Sequence, residues 1–181
     1  NADEVLWLSG RSPTAVLGMG GGLYNQKIDS VVVEDFDDAF VQLWLGEDVV
    51  AQIQGGLVVF IGVGQDDGDE DARYVVEKVV NLRIFDDRAG RFDVSALDSA
   101  AHLLVISQFT LYADIRKGRR PSFTDAAPPE EAEAIFERTV ALFRETGLRV
   151  ETGRYQQRML VDIQNDGPVT IWIDTAERHT I

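Results

Sequence analysis

Apolar and polar positions fall into regular periods from residue 29 onward, and they do not before it. Short apolar-rich runs at 31–33, 40–45 and 49–53 predict strands, with a turn from Gly46 to Asp48 between the last two. Gly55-Gly56 marks another turn. Residues 57–63 form a continuous apolar run of strand length, which predicts a central strand buried on both sides. A helix follows, with Ala72, Val75, Val76, Val79 and Val80 on one face. Residues 101–112 predict a second long apolar strand, and 113–127 a polar loop. Pro128-Pro129-Glu130-Glu131 opens a second helix, with proline in the first turn and acids behind it. Its apolar face is Ala132, Ile135, Phe136, Val140 and Phe143, and Gly147 ends it. Further strands are expected at 149–152, 159–164 and 169–174. The pattern sums to an α+β or α/β two-layer domain, with a mixed, mostly antiparallel sheet and two main amphipathic helices.

Residues 1–28 stand apart. Gly18, Gly20, Gly21 and Gly22 cluster there, but no helix pattern follows them, as a phosphate-binding glycine loop would require. An N-terminal extension, flexible in character, is expected at 1–28, one domain at 29–174 and a tail at 175–181. No internal repeat is visible. No apolar run approaches the ~20 residues of a membrane span. Asp3 and Glu4 stand where a secretory signal has basic residues, so a cytoplasmic protein with no membrane contact is the default expectation.

Composition narrows the chemistry. The chain has no cysteine, which removes disulfides, thiolate zinc sites and a cysteine nucleophile. His102 and His179 are its two histidines, too few for a multi-histidine metal cage, and no metal or other cofactor is expected. The net charge of −14 disfavours a whole-surface grip on nucleic acid, so any such contact must use a local basic patch. The acid-rich stretch Asp66-Asp67-Gly68-Asp69-Glu70-Asp71 lacks the spacing and closing glutamate of a calcium loop. It suits a helix N-terminus, where acids meet the positive end of the dipole.

Three segments carry polarity that does not suit their setting. Ser107-Gln108-Phe109-Thr110-Leu111-Tyr112 closes the second apolar strand. Alternation would put Ser107, Phe109 and Leu111 on one face and Gln108, Thr110 and Tyr112 on the other. Arg116-Lys117-Gly118-Arg119-Arg120 concentrates four cations in an acidic chain, a composition suited either to phosphates or to a solvated loop. Asn165-Asp166-Gly167-Pro168-Val169-Thr170 places Gly-Pro before a strand, ordinarily a turn. No Ser-His-Asp triad is visible, and His102 reads as a satisfied strand histidine. An enzyme built on these residues would rely on backbone donors and substrate groups, and so act on an activated ester rather than an amide.

Together these segments resemble the D-aminoacyl-tRNA deacylases. The matching stretches are Asn81-Leu82-Arg83-Ile84-Phe85, the segment from Ser107 to Tyr112, Lys117-Gly118-Arg119-Arg120-Pro121-Ser122-Phe123, and the segment from Asn165 to Thr170. They occur in the family's order, across residues 29–174. The resemblance implies a homodimer that cleaves the ester between a D-amino acid, or glycine, and the terminal adenosine of tRNA. It implies that Gly167 and Pro168, joined by a cis peptide and continued by Val169 and Thr170, reach into the partner's site and reject L-side chains. It implies that Ser107, Gln108, Phe109 and Thr110 hold the adenosine and the ester. Thr110 then acts either as a nucleophile or beside a substrate 2′-hydroxyl that assists, with amides near Phe109 and Thr110 stabilising the oxyanion. A threonine without an activating base favours the second course. Lys117, Arg119 and Arg120 would contact the tRNA.

Two stretches depart from the family pattern. Glu34-Asp35 stands where Gln-Arg is usual, and Phe92-Asp93-Val94-Ser95 where Met-Asn-hydrophobic-Ser is usual. The acids at 34–35 motivate the alternative of a homologue that binds a tRNA end or nucleotide without hydrolysis.

Overall fold

The computed structural model describes residues 15–20 and 41–179, and it shows a mixed α+β architecture. The strand expected at 31–33 and the acids Glu34 and Asp35 lie outside the described residues. The strands are β1 (Ala15–Gly20), β2 (Val41–Leu45), β3 (Asp48–Ile53), β4 (Gly56–Ile61), β5 (Arg83–Asp86), β6 (Phe92–Ser95), β7 (His102–Ser107), β8 (Val150–Thr152), β9 (Leu160–Ile163) and β10 (Asn165–Ile173). The α-helices are α1 (Asp69–Asn81) and α2 (Pro129–Glu145), and 3-10 helices cover Phe109–Tyr112 and Thr175–His179. No helix among the described residues is long and apolar enough to cross a membrane.

The main sheet has five strands in the order β10-β1-β4-β7-β8. Its β10–β1 and β1–β4 pairs are antiparallel, and its β4–β7 and β7–β8 pairs are parallel. Burial on both faces explains the continuous apolar runs of β4 and β7. Leu57, Val59 and Ile61 of β4, with Leu103 and Val105 of β7, pack under the helices. Val58, Leu104 and Ile106 point the other way, onto Val41, Leu43, Ala51 and Ile53 of a second sheet, β3-β2-β9. The expected two layers are therefore three: helices, five-stranded sheet, three-stranded sheet.

Both helices form where the periodicity places them. All five expected apolar residues of α1 are buried. Its first turn holds Asp69, Glu70 and Asp71, and the Asp71 carboxylate accepts the Gly68 N–H at 2.9 Å, which satisfies one of the helix's orphan donors. Pro129 starts α2, and Gly147 turns the chain away at φ 85°. On α2, Ala132, Phe136, Val140 and Phe143 are buried, with Thr139 and Leu142, while Ile135 is half-buried. Arg138 of α2 reaches Asp69 of α1 at 2.7 Å and ties the two helices together at their surface.

The structure corrects two further expectations and adds one element. Residues 15–20 of the supposed extension form β1, inside the sheet between β4 and β10. Glycine-rich and weakly periodic, this segment carries little strand signal of its own, and its place depends on neighbours remote in sequence. The apolar run at 101–112 is not one strand. It leaves the sheet after Ser107 and winds into the 3-10 helix Phe109–Tyr112. Between α1 and β7 lies a hairpin, β5–β6, turned at Asp87, whose carboxylate accepts the N–H groups of Ala89 at 2.7 Å and Arg91 at 3.0 Å.

The close β4–β7 pairing generates a prediction. Gly56 faces His102, and a Cβ there would run into the His102 carbonyl oxygen. Gly56→Ala is expected to destabilise the domain by about 1–3 kcal/mol, the range typical of overpacking. Gly55→Ala, whose Cβ would meet nothing within 4 Å, serves as the control and leaves the denaturation midpoint in place. Denaturant titration of the two variants checks this.

Candidate active site

The parallel strands β4 and β7 end side by side, with Ile61 opposite Ser107. The Gln108 N–H donates to the Ile61 carbonyl at 2.7 Å, the last bond that holds the chain to the sheet. It then turns. Leu111 N–H donates to Gln108 O at 3.2 Å and Ala113 N–H to Thr110 O at 3.1 Å. A 3-10 helix has no internal acceptors for its first N–H groups, so the amides of Phe109 and Thr110 have no bond within the turn.

The side chains of this turn divide between surface and interior. Phe109 is 56% exposed and packs edge-on against Phe123, ring centroids 5.0 Å apart. Thr110 is exposed, and its Oγ1 accepts a hydrogen bond from the Gln108 side-chain amide. Ser107 is half-buried at the strand end. Strand alternation does not apply beyond it, because 120° per residue replaces 180° in a 3-10 turn. Tyr112 is buried, and its hydroxyl donates to Asp67 Oδ2 at 3.1 Å. Burial pushes the Asp67 carboxyl up, against the opposing pull of the Gly64 N–H and the Tyr112 hydroxyl.

No base stands beside Thr110 Oγ1 among the described contacts. His102 begins β7, five residues and so about 17 Å of extended chain from Ser107. Its Nδ1 accepts the Gln54 N–H at 3.3 Å, as expected for a satisfied strand histidine. The acid-rich stretch is likewise consumed: Asp69 pairs with Arg73 and Arg138, and Asp71 with Arg178 at 3.0 Å. Among the described residues no three His, Asp or Glu side chains converge as a metal-holding group.

After the turn comes the basic loop. Asp114 and Ser122 bond each other through both backbone groups, at 2.7 and 2.9 Å, and close a ring of chain around the cations. Inside it Arg116 is spent on structure, bound through two nitrogens to Asp114 at 2.8 Å. That guanidinium holds the Asp114 carboxyl at about 2, so the loop keeps its tie throughout the neutral range. Lys117, Arg119 and Arg120 are exposed and form no ion pair among the described residues, and Gly118 takes φ 75° to make the bend between them.

The Gly167-Pro168 segment lies elsewhere. Gly20 pairs with Asn165 and Met19 with Val169, so Asp166, Gly167 and Pro168 bulge out of β10. Asn165 Oδ1 accepts the Val169 N–H at 3.0 Å and closes the bulge. The expected cis peptide is a correction, because no peptide among the described residues is cis. Gly167 takes the sharp bend itself at φ 125°, and its trans bond to Pro168 continues the chain. Val169 is half-buried and Thr170 exposed. Register puts this bulge at the far end of the sheet. Ser107 aligns through Ile61 and Ala15 with Ile173, four residues beyond Val169. The two segments are thus about 13 Å apart along the strands and about 14 Å across them. Within one chain they do not share a site.

The structure thus groups Ser107, Gln108, Phe109 and Thr110 at one strand end, follows them with the loop of Lys117, Arg119 and Arg120, whose closing Phe123 packs on Phe109, and leaves Gly167, Pro168, Val169 and Thr170 apart. Phe123, which supports Phe109, and Asp67, which holds Tyr112, were not among the residues singled out. Phe123 belongs to the matching stretch that ends the basic loop, which is a usable signal. Asp67 sits in an acid run that reads only as a helix start.

Comparison with known proteins identifies the family. Residues 32–174 match the sequence profile of the D-Tyr-tRNA(Tyr) deacylase family. The chain is 51% identical over 131 residues to the D-aminoacyl-tRNA deacylase of Thermotoga petrophila, covering 72% of this chain and 88% of that protein. It is 55% identical over 125 residues to that of Heliobacterium modesticaldum, covering 69% and 83%. Among solved structures, the c-Myc DNA Unwinding Element Binding Protein superposes with a TM-score of 0.75 at 29% identity, over 90% of this chain and 98% of the other. A probable eukaryotic D-amino acid tRNA deacylase superposes with a TM-score of 0.71 at 16% identity, over 88% and 97%, and shares the fold. Strand β1 comes from residues before the matched region. The profile match and the identities over most of each relative's length place this chain in the D-Tyr-tRNA(Tyr) deacylase family.

Proposed function

We propose that the chain is a D-aminoacyl-tRNA deacylase. It hydrolyses the ester that links a D-amino acid, or glycine, to the terminal adenosine of tRNA, and so recycles mischarged tRNA while sparing L-aminoacyl-tRNA. The single observation that carries this reading is the turn at Phe109–Tyr112. It presents the Phe109 and Thr110 amides and the Thr110 hydroxyl on exposed residues, ahead of a basic loop and with no side-chain base bonded to that hydroxyl among the described residues. Such a site suits an ester that is already activated. Backbone donors stabilise the oxyanion as it forms, and one such donor is worth about 2.7–4 kcal/mol. The exposed Phe109 ring offers a stacking face for the terminal adenine. The substrate's 2′-hydroxyl, next to the ester, supplies the assistance that the chain does not. Thr110, accepting a bond from Gln108, orients rather than attacks.

Discrimination against L-amino acids is assigned to Gly167 and Pro168, with Val169 and Thr170 as their support. At the opposite end of the sheet they are out of reach of Thr110 in the same chain. A two-fold dimer that docks the bulge of one subunit against the turn of the other completes each site and gives an isologous interface. Lys117, Arg119 and Arg120 take tRNA phosphates. The cytoplasm, where aminoacyl-tRNA is made, is the place of action.

Deacylation of matched D-, glycyl- and L-aminoacyl-tRNA tests the function: the first two are cleaved and the third is spared. An intact L-ester beside intact D- and glycyl-esters leaves only the non-hydrolytic alternative. On mechanism, Thr110→Ala is expected to lose part of the single-turnover rate and to give no acyl-enzyme. A 2′-deoxy terminal adenosine is expected to lose more. A dead Thr110→Ala with a normal rate on the deoxy substrate makes threonine the nucleophile.

Replacing Lys117, Arg119 and Arg120 with Ala is expected to weaken tRNA binding and flatten its dependence on salt. Each lost phosphate contact lowers the slope of log K against log salt by about 0.7–0.9. Equal slopes for wild type and triple variant would reduce the loop to solvated surface. Light scattering at micromolar concentration is expected to show a dimer, and a fully active monomer would overturn the shared site.

A further inference from the structure

We propose that Asp67 is a positioning residue for deacylation, acting through Tyr112 to hold the turn that carries Phe109 and Thr110. Its part in catalysis rests on the deacylase reading, while its hold on the turn does not.

The turn needs an anchor. Four residues of 3-10 helix bring few and poorly aligned bonds of their own, so tertiary contacts decide their orientation. The upstream end is fixed by the Gln108 bond to Ile61. At the downstream end the fixed point is Tyr112, two residues after Thr110. Its ring lies in a slot formed where β4 leaves the sheet. A Cβ on Gly62 would sit 3.0 Å from that ring, and one on Gly64 would sit 2.7 Å from its hydroxyl. Glycine at these places lets the ring approach the backbone.

At the bottom of the slot, Asp67 Oδ2 accepts both the Tyr112 hydroxyl at 3.1 Å and the Gly64 N–H at 2.7 Å. One carboxylate oxygen thus joins the exit loop of β4 to the end of the catalytic turn. Asp67 is itself held: its N–H donates to Gly64 O at 3.3 Å, and α1 starts two residues later. A shift of Tyr112 would rotate the short turn between its two fixed ends and misalign the Thr110 and Phe109 amides. Misplacement of reacting groups by about 1 Å costs on the order of 100-fold in rate.

The test compares Tyr112→Phe, Asp67→Ala and Asp67→Asn. Tyr112→Phe and Asp67→Ala are each expected to lower kcat on D-aminoacyl-tRNA about 10- to 100-fold with a smaller rise in KM, since the turn shifts while the basic loop, closed by its own Asp114–Ser122 bonds, keeps its hold. Asp67→Asn retains an acceptor and is expected within about threefold of wild type. Combining Tyr112→Phe with Asp67→Ala costs no more than Asp67→Ala alone, because that change already breaks the Tyr112 bond together with the Gly64 one. Hydrogen exchange supplies a readout independent of activity. In the first two variants the Leu111 and Ala113 amides exchange about tenfold faster, while those of β4 keep their protection. A folded Tyr112→Phe with wild-type kcat, or with unchanged exchange at Leu111 and Ala113, overturns the assignment. If Asp67→Ala fails to fold, Tyr112→Phe, which keeps the ring in its slot, carries the test. If wild type cleaves no D-aminoacyl-tRNA, the deacylase reading falls and hydrogen exchange alone decides the clamp.

Discussion

Strands β4 and β7 lie parallel at the centre of the main sheet, each with apolar side chains on both faces. One face takes the helices and the other takes the three-stranded sheet, so neither strand can slip by a residue without turning its set of side chains over. This fixed register puts the carboxyl ends of both strands at one edge. There the exit loop of β4 and the turn after β7 emerge beside each other. Open sheets with parallel strands offer their ligand sites at that edge, because the chain must leave there and its loops are free of the ladder. Everything assigned to chemistry in this chain hangs from that edge or from the opposite one.

Elements specified by local pattern were legible in the sequence. The buried face of α1 follows from a strict helical period, with acids before it and Lys78 in the last turn. The start and stop of α2 follow from Pro129 and Gly147. Elements fixed by distant contacts were not legible. Ala15–Gly20 shows no strand period, yet it lies between β4 and β10. The run after Ser107 stays apolar enough to pass for strand, and only the pull of Tyr112 into the slot beside Gly62 and Gly64 shows why it winds. The second apolar face of β4 and β7 was written in their unbroken hydrophobicity, but what would cover it was not.

The same division holds for the site. Ser107, Gln108, Phe109 and Thr110 stand next to one another in the chain, so their grouping needed no fold to be seen. The closure of the basic loop by Asp114 and Ser122 is also short-range. The distance between Thr110 and Gly167 depends instead on three strand registers in succession. No local pattern encodes such a sum. The conformation of the Gly167-Pro168 peptide is equally a matter of surroundings, since β10 accommodates the bend as a bulge closed by the Asn165 side chain.

On the proposed function, the charge distribution has its own consequence for how the RNA arrives. The chain carries −14 overall, yet Lys117, Arg119 and Arg120 project together from one loop. A polyanion approaching from elsewhere meets repulsion and departs, while one that comes loop-first is held. With tRNA phosphates on that loop, as proposed, the acidic body acts as an orientational filter on encounter. It shortens the residence of wrongly docked tRNA, and that matters for a protein whose substrate differs from an abundant, correctly charged tRNA only at the last residue attached to its end.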